Sequence, residues 1–88
     1  MHAVVVRVTV IGDVEESEQQ LWDSVVPRVS QAPGFVSGTW TRAGTDGLAM
    51  VVFESEDAAR QMADRVPEVV PPSVSLQNVE VREVVASA

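Results

Sequence analysis

The segment from Pro33 to Ser55, PGFVSGTWTRAGTDGLAMVVFES, limits the possible folds of this chain most strongly. Pro33-Gly34 is a turn signal that separates a helical pattern from an extended one. Phe35 to Ala43 carries the strand-favouring residues Phe, Val, Thr, Trp and Thr. Gly44-Thr45-Asp46-Gly47 is a short loop with a glycine at each end, and both glycines can supply the positive φ that a tight reversal needs. Leu48 to Glu54 resumes as a strand, and its run Leu48-Ala49-Met50-Val51-Val52-Phe53 predicts cover on both faces. The segment therefore predicts a β-hairpin placed in the middle of a small antiparallel sheet.

The flanking patterns complete the element list. Residues 2–11, HAVVVRVTVI, predict a strand with His2, Val4, Val6, Val8 and Val10 on a nearly apolar face. Ala3, Val5, Arg7, Thr9 and Ile11 form the mixed face. Asp13 with Glu16 three residues on predicts a helix N-terminus of the capping-box kind. The first helix runs from about 14 to 29, with Leu21, Trp22, Val25, Val26 and Val29 on one stripe. Pro27 lies inside it and predicts a kink or a restart. Ser55 caps a second helix with Glu56 and Asp57 in its first turn. Its apolar stripe, Ala58, Ala59, Met62, Ala63 and Val66, is built of small residues that allow close approach to a sheet. Pro67 and Pro71-Pro72 predict its end, 67–76 a loop, and 77–85 the last strand. In that strand Val79, Val81 and Val85 share one face, and Glu80, Arg82 and Val84 the other.

Strand, helix, strand, strand, helix, strand is the α+β, ferredoxin-like βαββαβ order, in one domain spanning residues 1–88. A four-stranded antiparallel sheet then carries both helices on one face. The other face, with Val5, Thr9, Val84 and part of the hairpin, is partly apolar and too large to leave in water. The chain has 88 residues, no cysteine and 45% hydrophobic residues, so its core is thin and no disulfide reinforces it. Both arguments predict a symmetric homodimer joined sheet to sheet.

Charge excludes some partners. Thirteen acids stand against six bases, all arginine, for a net charge of −7. No basic patch for nucleic acid or an anionic membrane is visible. No apolar run of 18 residues is present, and MHAVVVRV is short and strand-like for a signal peptide, so the expected location is cytoplasmic. No metal-ligand spacing, phosphate loop or paired-carboxylate motif occurs, and no cofactor or metal is expected.

The motif PGFVSGTW…GLAMVVFESEDAA resembles the antibiotic-biosynthesis-monooxygenase-like branch of the dimeric α+β-barrel superfamily. The shared pattern is a Pro-Gly-Phe opening, a Trp-bearing strand, and an apolar strand ending in Phe-Glu-Ser before an alanine-rich helix. It covers about residues 27–60 at motif level, and the element order covers nearly the whole chain. The resemblance implies a homodimeric barrel that binds a small molecule. It also implies a cofactor-independent monooxygenase acting on an aromatic or quinol-like substrate. Oxygenases of this superfamily line a pocket between sheet and helices with Trp, Asn, His or Tyr. This chain has no tyrosine, and Asn78 and His2 are its only asparagine and histidine.

Candidate site residues follow. His2 is the candidate general base, against a plain reading as a strand-end histidine. Trp22 and Trp40 are candidates for stacking on an aromatic ligand, against core packing. Arg42, two residues after Trp40 on the same face, is a candidate partner for a carboxylate or phenolate, against a salt bridge. Met50 joins Trp22, Trp40 and Arg42 in the ligand-binding set, although it also reads as core. Arg7 and Arg82 are expected to pair with Glu80 across the dimer or to hold an anion. Ser37, Thr39 and Thr41 share one strand face, with no base near them to make a nucleophile. The competing expectation is a non-catalytic homodimeric domain with a filled interior and a structural or regulatory role. The shape of the space beneath Trp40 separates the two.

Overall fold

A computed structural model describes all 88 residues. Its elements are β1 (His2–Val10), α1 (Val14–Gln20), a π-helical turn (Leu21–Val25), α2 (Val26–Ser30), β2 (Phe35–Ala43), β3 (Asp46–Phe53), α3 (Glu56–Val69) and β4 (Val74–Glu83). The four strands form one antiparallel sheet in the order β2-β3-β1-β4. This α+β arrangement is compatible with a ferredoxin-like fold. The hairpin does not occupy the middle of the sheet: β3 is central, and β2 lies at an edge. The first strand lies beside β3 and is paired on both edges, by β3 and by β4.

The strand register defines the faces. Val4 stands opposite Val51 and Val81, and Val6 opposite Ala49 and Val79. These even positions of β1 meet the helices, and Val4, Val6 and Val10 are buried as their alternation predicts, whereas Val8 is only half-buried and Ala3 on the other face is buried as well. Two bulges interrupt the ladders, one at Arg7/Val8 against β4 and one at Phe35/Ser37 in β2. The β2–β3 loop closes with Ala43 paired to Asp46, and Gly44 has φ +62. Gly47 does not adopt positive φ. It is a paired strand residue whose missing side chain leaves room for Val8, because an added Cβ would lie 2.7 Å from Val8 Cγ2.

Both helix caps form as expected. Asp13 Oδ1 accepts from the Glu16 N–H at 3.0 Å, and Ser55 Oγ accepts from the Ala58 N–H at 3.1 Å. At Pro27 the helix restarts, as its position predicts: Pro27 lies in the first turn of α2. The π turn lies immediately upstream, with the Val26 N–H bonded to Leu21 O. Widening this turn moves the preceding carbonyls away from the proline ring and removes the need for the missing N–H. Pro67, by contrast, stays inside α3, which runs on to Val69, and β4 starts at Val74 rather than at 77. Val85 lies beyond the strand and is 87% exposed.

The core sits where α3 crosses the sheet. Phe53, Val4 and Ala59 are completely buried. Phe35 packs edge-on against Phe53, with ring centroids 6.2 Å apart. Gly34 (φ +80) admits α3 here, since a Cβ on it would come within 2.9 Å of Ala58 Cβ.

On the other side of the sheet, β3 is covered on one face only. Gly47, Ala49, Val51 and Phe53 are buried, but Leu48 and Met50 are 38% and 50% exposed. Met50 is therefore not a core residue of the protomer. It stands on the helix-free face between Val5 and Thr39. Arg7 pairs with Asp46 at 3.8 Å, and Arg82 with Glu80 at 2.6 Å, all on that same face and within one chain.

Candidate functional site

The side chains that β3 presents to the helices grow along the strand: Gly47, Ala49, Val51, Phe53. The sheet floor is thus low at the Gly47 end and filled at the Phe53 end. The helices reinforce this taper. α3 packs on β1, β3 and β4, whereas the first helical segment reaches the sheet chiefly where α2 meets β2. Between α1, the π turn and the low end of the floor lies a cleft of about 690 Å3. Val6, Val8 and Val10 form its base, Leu21 and Val25 its roof, and Val70, Pro71 and Val74 its far wall.

Trp22, Trp40 and Arg42 all line this cleft, so three of the sequence candidates converge. Trp40 faces the helices from β2, opposite Ala49. Its indole lies across Gly38, where an added Cβ would be 2.8 Å from Cη2 and 2.9 Å from Cζ3. Glycine at 38 lets the ring lie along the strand. On the inner side of Trp40 is a second void of about 50 Å3, lined entirely by hydrophobic residues. Trp22 sits on the π turn at the rim and is 72% exposed. An indole so exposed contributes little to folding, and its position over an apolar cleft suits contact with a bound molecule.

Arg42 stands one row nearer the hairpin loop, opposite Gly47. Its Nη1 donates to Gly44 O at 2.8 Å, and its Nη2 to Glu18 Oε1 at 3.1 Å. Glu18 comes from α1, 24 positions earlier in the chain. The pair spans the mouth of the cleft from sheet to helix. Arg42 is 38% and Glu18 55% exposed, so the bridge stabilises the fold by less than about 1 kcal/mol. Ser17, the one buried polar residue, also faces the cleft, and the Thr41 hydroxyl is committed to Leu48 O at 2.7 Å. At the end of α1, Ser73 Oγ donates to Gln20 Oε1 at 2.6 Å and ties the helix to the segment before β4.

The other candidates lie elsewhere. His2 is six residues from Val8 along β1, about 20 Å at the usual strand rise. Its Nε2 is 3.4 Å from Glu56 Oε2 at the start of α3, and its Nδ1 is buried without a partner. Met50 is on the opposite side of the sheet from the cleft. Nothing local in the sequence marks Glu18 or Ser17 as a cleft residue: Glu18 belongs to an acidic run at a helix start that reads as solvated, and its partner Arg42 is 24 positions away. No protein-family model matches this sequence, and no curated protein is similar to it.

Proposed function

We propose that this chain is a small-molecule-binding protein, working as a homodimer, whose cleft holds an apolar aromatic ligand against Trp40 and beneath Trp22. The observation that carries this reading is the cleft itself. Its volume lies within the range of ligand pockets, its walls are mostly apolar, and its few polar groups gather at one end. Such a space favours ligand binding over an interior packed full. The resemblance to the antibiotic-biosynthesis-monooxygenase-like branch points in the same direction.

Catalysis is the narrower form of this proposal. A cofactor-independent oxygenation needs an electron-rich substrate and a base beside it. Glu18 is the only carboxylate lining the cleft, and it is engaged by Arg42. His2 is at the far end of β1. The geometry therefore supports binding more directly than turnover.

The dimer follows from the helix-free face. Leu48 and Met50, with the half-buried Val5 and Val52, make an apolar band across its centre. The charges beside it are already paired within the chain, so a second copy would bury that band without stranding a charge. Sedimentation of the unmodified chain at micromolar concentration is expected to show a dimer, and Met50→Glu a monomer or unfolded chain. A stable unmodified monomer would remove this part of the proposal.

A thermal-shift panel of phenols, quinones, flavins and haem tests the binding. A specific ligand at a hundred times its Kd stabilises the fold by about 2.7 kcal/mol. Loss of the response in Trp40→Ala places the ligand in the cleft, and no response across the panel would sink the reading.

A further inference from the structure

We infer that Glu18 sets the charge of what the cleft accepts: the site takes an uncharged apolar molecule bearing a hydroxyl, and it disfavours organic anions. This rests on the cleft being a ligand site. Arg42 is the only cationic group lining it, and taken alone it would be an anchor for a carboxylate. Its charge is already balanced by Glu18, while only two of its five N–H donors are engaged. Its two terminal nitrogens are held by Glu18 Oε1 and Gly44 O. The two charged groups of the cleft thus form a neutral pair, and the remaining lining is polar only at Ser17 and Thr41 or apolar.

An anion entering this space has two courses. It displaces Glu18 and leaves that carboxylate beside it, or it stays at the apolar end without a partner. Like charges placed side by side repel, and the exposure of Glu18 keeps that cost to about 1 kcal/mol. The chain's net charge of −7 adds a long-range field of the same sign. A hydroxyl meets neither obstacle. Its oxygen accepts from the guanidinium, and its proton goes to the carboxylate, so it joins the pair rather than breaking it. Its apolar body then lies over Val6, Val8 and Ala49 toward Trp40. Glu18 thereby acts as a specificity-determining residue.

Titration calorimetry at pH 7 and low salt with 2-naphthol and 2-naphthoate tests this, because the two differ mainly in the charge of one group. The unmodified chain is expected to bind the naphthol several-fold more tightly, about fivefold for a cost near 1 kcal/mol. In Glu18→Gln the carboxylate charge is gone while the amide oxygen still accepts from Arg42, and the preference is expected to shift toward the naphthoate. Glu18 is more than half exposed, so this variant should fold; Glu18→Ala removes the acceptor as well and frees the Arg42 fork, and there the naphthoate is expected to gain about tenfold and the preference to reverse. Naphthoate binding to the unmodified chain as tightly as naphthol would overturn the inference and leave the ligand site standing. So would an unchanged ratio in both Glu18 variants. Failure of both compounds, together with a silent ligand panel, would remove the site and the inference with it.

Discussion

The helix-covered side of the sheet has two unlike ends, built on the same strands. Val4 and Val8 occupy the same face of β1, four residues apart. Val4 is completely buried under α3, while Val8 is only half-buried at the base of the cleft. Opposite Val4 the sheet offers Val51, but opposite Val8 it offers Gly47. Above the first end, Ala58 and Ala59 let α3 settle onto Gly34 and Phe53. Above the second, the π turn holds Trp22 outward at the rim. The contrast teaches that the space here arises from two coincident features, a floor that falls and a roof that does not follow it. A small chain that closed both ends would have a better core and no site.

The largest expected effect lies at the closed end. Phe53→Ala should cost about 3–5 kcal/mol in chemical denaturation, because Phe35 and α3 cannot collapse into the void. A loss below about 1 kcal/mol would mean that this end is not the close-packed one. The sharper comparison is Val4→Ala against Val8→Ala, the same chemistry on one strand. The first should cost about 2 kcal/mol by lost burial and cavity formation, and the second less than half of that. Equal losses would show that the cleft is closed in solution. Smallest of all, Trp22→Ala should change stability by no more than about 0.5 kcal/mol while it weakens ligand binding. If it destabilises the chain strongly, the indole is a packing residue and the open end is misassigned.

Much of this was legible in the residues. The alternation of β1, the caps at Asp13 and Ser55, the Gly44 reversal and the small-residue stripe of α3 each act over a few positions, and each forms as read. Pro27 marks a restart as read, whereas Pro67 does not end its helix, because a local rule for ending a helix competes with the packing of the whole helix. At Pro27 a widened turn resolves that competition, and at Pro67 the last turn continues through it. The taper from Gly47 to Phe53 was also present in the sequence, but its meaning depends on which face of β3 the helices cover.

By itself, then, the sequence determined the elements, their order, and which residues of each strand share a side, because periodicity and capping are local properties of the backbone. Only the tertiary structure decided that β2 lies at the edge, that Met50 faces away from the helices, and that Glu18 meets Arg42. These depend on strand order and on the height of a helix above a sheet, which are fixed by packing between segments distant in the chain.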